Sequence, residues 1–308
     1  MELVQCVPNF SEGRREDVIE TIVDAARAHD VAVLDVSPDA DHNRTDVTLI
    51  GEPQAVYDAV MALALEAVEH IDMREHEGEH PRMVALDVVP FIPLLDATMA
   101  DCVSLAEEFA EEFAARTDVP TYLYEEAALS PERENLADVR AGEYEGLKEA
   151  IGTDPTREPD FGPNRIHESA GATAVGARFF LIAFNVNLDT EDQAVADEIA
   201  RAVRHSSGGY REIKAMGFEI TERGIVQVSM NVTDFRATPL FRVFETITDE
   251  AERRGVRVIG SELVGLIPFE ALLGVADHYL RLEDFDRDQV LEQQLLETLA
   301  TDRPEDHE

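Results

Sequence analysis

The order of strand-like and helix-like segments is the tightest constraint on what this chain can fold into, because the same order occurs twice. Residues 3–7 read as a strand, ended by Pro8 and Asn9. Ser11 stands where it can cap a helix over roughly 14–29, with Val18, Ile19, Ile22, Val23 and Ala26 on one face. Strands over 31–36 and 46–50 follow, and Pro53 opens a helix to about 70. A loop over 76–82, a strand over 84–91, a helix over 99–116 and a strand over 121–124 complete the first half. The second half offers a strand over 179–186, a helix over 191–204, strands over 213–220 and 225–232, a helix over 239–254 and a strand over 257–261. Helices over 268–276 and 289–299 close it. Two β-α-β-β-α-β runs predict an α/β (α+β) chain of two related subdomains, 1–177 and 178–300, with an acidic tail over 301–308. Each sheet is expected to carry helices on one face. The bare faces then need cover, and packing against each other or around a cleft is the economical arrangement. The Gly/Pro-rich stretch 160–178 is predicted as a connecting loop, a natural place for ligand contacts.

Charge narrows the function classes. Sixty-five acidic residues face 26 basic ones, a formal net charge of −39, and only Lys148 and Lys214 are lysine. Such self-repulsion opposes compaction unless salt screens it, so the composition points to a high-salt cytoplasm. It argues against nucleic-acid binding, since phosphates would be repelled. A small anionic substrate stays open, because a local arginine cluster can still build a positive pocket. Cys6 and Cys102 form no metal or redox motif and sit in apolar-periodic stretches, as buried thiols do. No apolar run reaches the length of a membrane span, so no membrane partner is expected.

His76-Glu77-Gly78-Glu79-His80-Pro81-Arg82 spells the H-E-x-x-H letters of zinc proteases. That chemistry needs two imidazoles on one helical face. Gly78 weakens a helix, and Pro81 pushes His80 out of the α region, so the segment reads as a loop with no metal. Its imidazole at His80 can take and return a proton near neutrality, beside Arg82. The plain alternative is a loop histidine with no task, and His76 has no assigned role.

Three other stretches qualify. Val7-Pro8-Asn9-Phe10-Ser11-Glu12-Gly13-Arg14 joins a strand to a helix, a junction that favours binding, or is simply a capped connection. Asp41-His42-Asn43-Arg44-Thr45 offers Arg44, which with Arg82 could bind carboxylates, or is a solvated hairpin with a salt bridge. Residues 160–178 contain Gly162, Gly171 and Gly176, which would allow close backbone approach to a flat ligand, or form an ordinary linker. It is neither a P-loop nor a dinucleotide motif.

These stretches, in order, resemble the formiminotransferase family. The similarity runs through Cys6-Val7-Pro8-Asn9-Phe10-Ser11-Glu12-Gly13, Asn43-Arg44-Thr45, Gly78-Glu79-His80-Pro81-Arg82-Met83 and Ala85-Leu86-Asp87-Val88. It continues through Arg140-Ala141-Gly142-Glu143-Tyr144-Glu145, Pro159-Asp160-Phe161-Gly162-Pro163, Asn185-Val186-Asn187 and Gln227-Val228-Ser229-Met230-Asn231, over roughly residues 2–280. The resemblance implies two subdomains with facing sheets and outer helices, a cytoplasmic homodimer, and no metal. It implies tetrahydrofolate as co-substrate and glutamate or N-formimidoylglutamate as the small-molecule partner. His80 would be the catalytic acid/base, and Gly162, Pro163, Asn164, Arg165, Ile166, His167, Glu168, Ser169, Ala170 and Gly171 the folate loop, with Asn9, Arg44 and Arg82 as further binding candidates. The interior of that loop lacks the aromatic residue of some animal members, and a fused cyclodeaminase domain is not expected. The implied reaction is formimidoyl transfer between 5-formimidoyltetrahydrofolate and L-glutamate. Formyl transfer, folate binding without turnover and zinc hydrolysis are the alternatives.

Overall fold

Pro8 breaks the first strand of the molecule into two pieces that share one lane. The computed structural model describes residues 2–78 and 84–301. Its chain forms two units, Met1–Phe180 and Leu181–Glu308. The first unit runs β1 (Glu2–Cys6), β2 (Asn9–Phe10), α1 (Glu16–Arg27), β3 (Val31–Asp39), β4 (Arg44–Gly51) and α2 (Pro53–His70). It continues through β5 (Leu86–Leu95), α3 (Met99–Thr117), β6 (Thr121–Glu125), α4 (Leu136–Val139), α5 (Glu143–Ala150) and β7 (Thr173–Ala177). Both β1 and β2 pair antiparallel with β4 on one side and β5 on the other. Proline has no amide hydrogen for a ladder, so the lane is interrupted where it stands.

Across the sheet the lanes run β3, β4, β1 with β2, β5, β7 and β6. The last two are parallel to their neighbours. One core lies between this sheet and α1, α2 and α3. At its centre Phe109 stacks on Phe113 with centroids 5.7 Å apart, while Phe91 and Tyr57 meet Phe109 edge-on at 5.9 Å. Side chains of this size each contribute about 1.5–3 kcal/mol by leaving water. On the opposite face, Val139 of α4 and Leu147 of α5 pack over Val88, Tyr122, Tyr124 and Ala174.

The stretch 160–178 corrects the expectation of a plain connecting loop, because β7 lies inside it, between β5 and β6. All five residues of β7 are buried. A strand covered on both faces shows no alternation, and the Ala and Gly residues of Thr-Ala-Val-Gly-Ala are depleted in strands. A Cβ on Gly176 would lie 2.5 Å from Tyr124 O and 2.6 Å from its ring, so β6 needs a glycine there. The cap of α1 also differs from the expected Ser11. The helix starts after Arg15, and the Glu12 carboxylate accepts the amides of Arg14 and Arg15, each at 2.8 Å.

The second unit runs β8 (Ile182–Leu188), α6 (Gln193–Val203), β9 (Ile213–Ile220), β10 (Ile225–Val232), α7 (Leu240–Arg253), β11 (Val258–Val264), α8 (Phe269–Leu280) and α9 (Leu291–Thr301). Its sheet order is β11-β8-β10-β9, all antiparallel. In the first unit the lanes β5, β1, β4 and β3 follow the same rule: last strand, first, third, second. The repeat predicted from segment order is therefore a repeat of topology.

Candidate active site

Glu79, His80, Pro81, Arg82 and Met83 lie outside the described residues, so the site is built from the chain on either side of them. On the incoming side, His76, Glu77 and Gly78 belong to no helix. His76 is buried, and its Nε2 lies 2.9 Å from the carbonyl oxygen of Asn43. A carbonyl can only accept, so Nε2 carries the hydrogen. That nitrogen is committed to the backbone, which gives His76 a structural place. Asn43 Nδ2 donates to Glu77 O at 2.9 Å.

On the outgoing side, Ser11 holds the chain twice. Its Oγ donates to Val84 O at 2.7 Å and its amide to Ala85 O at 2.8 Å. The glycine-bounded loop touches both sides. Ser169 O accepts from Met73 N at 2.7 Å, Ala170 O accepts from Ala85 N at 2.9 Å, and Gly171 bridges Val84. Stretches separated by tens of residues thus meet at the two ends of one short segment.

The loop keeps its shape through its own bonds. His167 and Gly171 exchange backbone bonds at 3.1 and 2.9 Å, and His167 Nδ1 accepts from Ala170 N at 3.0 Å. Tyr144 donates its hydroxyl to Glu168 O at 2.7 Å, and Asn164 Oδ1 accepts from Gly152 N at 3.0 Å. Arg165 N donates to Pro163 O at 2.7 Å, and Ile166 packs on the core. Asn164, Arg165 and Glu168 are exposed, while Ala170 is fully buried. Two of the three glycines are closely packed by protein in the direction a side chain would take. Gly176 makes room for Tyr124, and a Cβ on Gly162 would lie 3.1 Å from Ala114 Cβ and 3.2 Å from Pro120 Cα.

The other candidates have partners. Asn9 is buried, and its Nδ2 donates to Val7 O at 3.0 Å. Arg44 Nη2 lies 2.9 and 3.0 Å from the two Asp46 carboxylate oxygens. Burial pushes the Glu12 carboxyl up, but the Arg15 and Arg14 amides and the Arg15 guanidinium outweigh it and hold it below the usual carboxylate range. Among the described residues, no cluster of three or more His, Cys, Asp or Glu could hold a metal.

Sequence reading missed the supporting residues. Asp87, the second residue of β5, is paired with Arg140, and Asp160 with Arg133 at 2.5 Å. Their motif stretches were visible in the sequence, but nothing local marked Asp87 and Asp160 as the carboxylates that pair with these arginines. In the second unit, Gln227 Nε2 donates to Asn187 Oδ1 at 2.9 Å and to Glu262 at 3.3 Å, so two motif stretches form a buried polar pair on one face of that sheet.

Comparison with known proteins covers nearly all of the chain. The family model described as "Formiminotransferase domain, N-terminal subdomain" matches residues 3–178, and that described as "Formiminotransferase domain" matches 183–302. The chain is 48% identical to the "Glutamate formimidoyltransferase" of Streptococcus pyogenes serotype M1, over 96% of this chain and 99% of that protein. It is 45% identical to the protein of the same name from Thermoplasma acidophilum, over 96% and 98%. The "Formimidoyltransferase-cyclodeaminase" of Rattus norvegicus is 43% identical over 90% of this chain, which spans 52% of that protein.

Proposed function

This chain belongs to the formiminotransferase family, and on that premise we propose that it transfers a formimidoyl group between 5-formimidoyltetrahydrofolate and L-glutamate, with His80 as general acid and base. The glutamate amine arrives protonated and must lose a proton to attack. That first proton goes to solvent and frees the nitrogen lone pair; His80 then takes a second proton from the amine nitrogen as its bond to the formimidoyl carbon forms. It then gives that proton to folate N5 as the bond to N5 breaks. In the reverse direction His80 moves the proton the other way. Holding the two substrates together supplies much of the rate, and no step calls on a metal.

One observation carries this reading. Three motif stretches, around Ser11, Asn43 and Ser169, converge on the flanks of the short segment that contains His80. A catalytic imidazole needs its carrier held to a fraction of an ångström, and ties on both flanks support that reading. The exposed side chains of the 162–171 loop suit a folate. The Arg165 guanidinium fits a carboxylate of its glutamate tail, and the Glu168 carboxylate fits pterin N–H groups. Asn9 would hold the reacting group, and Arg82 and Arg44 the substrate carboxylates. Because Arg44 is paired with Asp46, it would have to share its guanidinium. The proposal extends to a homodimer in a cytoplasm of high salt.

The test is the H80A protein, assayed in molar salt with N-formimidoylglutamate and tetrahydrofolate. Loss of a positioned acid/base lowers turnover by about 10²–10⁴-fold. A folded H80A protein with full turnover removes His80 from the mechanism.

A further inference from the structure

We propose that Asn43 is a positioning residue for the transfer reaction, fixing the chain that leads into His80; the inference rests on the role given to His80 above. Asn43 sits at the tip of the β3–β4 hairpin with φ of 51°, in the left-handed region that asparagine tolerates. It is buried, and it reaches two separate segments with one side chain. Oδ1 accepts from Gly13 N at 3.0 Å, and Nδ2 donates to Glu77 O at 2.9 Å. Its own carbonyl accepts from His76 Nε2 at 2.9 Å. Consecutive residues on the approach to His80 are therefore both tied to this one residue.

The packing around these bonds leaves the approach no slack. A Cβ on Gly13 would lie 2.1 Å from Asp39 O, and a Cβ on Gly78 would lie 2.3 Å from His42 O and 3.0 Å from Asn43 Cβ. The hairpin tip is thus wedged between two glycines, one on each neighbouring segment. Arg14 Nε adds a bond to Ala40 O at 2.7 Å on the Gly13 side. Gly78, which disfavours a metal-binding helix, is also the residue that lets the hairpin close on the segment. A residue that only filled space would not need a donor, an acceptor and a backbone carbonyl aimed at separate partners. Asn43 places residues 76–78 relative to the 12–14 turn.

The test compares Asn43→Gly with wild type and with the H80A protein. Glycine keeps the positive φ without strain and removes both side-chain bonds. The expected result is a fall in kcat of about 10- to 100-fold, with KM for N-formimidoylglutamate and for tetrahydrofolate within about threefold, since misplacement rather than lost binding is the defect. Asn43→Asp keeps the acceptor for Gly13 N but cannot donate to Glu77 O, and its kcat should fall as far, in a folded protein whose thermal midpoint is lowered because a buried carboxylate oxygen then faces that carbonyl. If Asn43→Gly does not fold, Asn43→Asp alone carries the comparison. A folded variant with wild-type kcat overturns the proposal, and so does one in which KM rises and kcat holds. A fully active H80A protein would instead overturn the assignment of His80.

Discussion

Arg140 closes its guanidinium on the carboxylate of Asp87, a side chain with 1% exposure at the start of β5. The contact is two-pronged. Nη2 meets Oδ2, and Nε reaches Oδ1 at 3.2 Å. It ties the segment between α4 and α5 to the strand that follows the His80 region, across 53 positions of sequence. Removing only the guanidinium leaves a buried carboxylate without compensation, which costs about 3–5 kcal/mol. R140M should lose that much stability by urea unfolding at fixed salt. The R140M/D87L double variant should lose less, because no charge stays buried. Equal loss in both would mean that packing, not charge, is what the pair provides.

Gly176 is the second point of fragility. With its Cβ position only 2.5 Å from a backbone oxygen and 2.6–2.7 Å from the Tyr124 ring, G176A forces β6 and β7 apart. Overpacking of this kind costs about 1–3 kcal/mol, and the backbone contact puts this site toward the upper end. The unfolding midpoint measures it. In a Y124A background, G176A should cost less than in the wild type because the ring is gone; an equal cost in both would place the clash at the backbone oxygen alone.

Acid should weaken the ties at the entry to the His80 segment. Hydrogen bonds from the Arg74 side chain and amide hold the Asp72 carboxyl at about 2. Glu12 is also held low, against its burial. A depressed carboxyl contributes stability above its unfolded value, about 4, and that contribution disappears as pH falls toward the folded value. The stability gap between wild type and D72N should be constant above about pH 5 and shrink between about 4 and 2. A gap that persists unchanged at pH 3 would show that the Asp72–Arg74 pair does not matter.

Neither thiol should react in the native protein. Burial raises the Cys6 thiol well above its ordinary value, with Arg178 only partly opposing, and pushes Cys102 up to about 12. Thiolate is the reactive form, so labelling with a disulfide reagent should require denaturant. Rapid modification of either cysteine under native conditions would contradict this.

Periodicity in the sequence alone determined the two β-α-β-β-α-β runs, the helices over 53–70 and 99–116, and strands such as 213–220 and 225–232, because alternation and 3.6-residue spacing are local records of which side meets a core. The motif stretches were legible for the same reason: each is contiguous. Only tertiary structure decided where they meet. The strand over 173–177 was hidden because full burial erases alternation. The link from Asn43 to Glu77 spans 34 positions, that from Ser11 to Val84 spans 73, and neither bond leaves a periodic trace. Single-residue chemistry marks what a side chain can donate or accept. Which partner it finds is fixed by how the sheet brings distant backbone together.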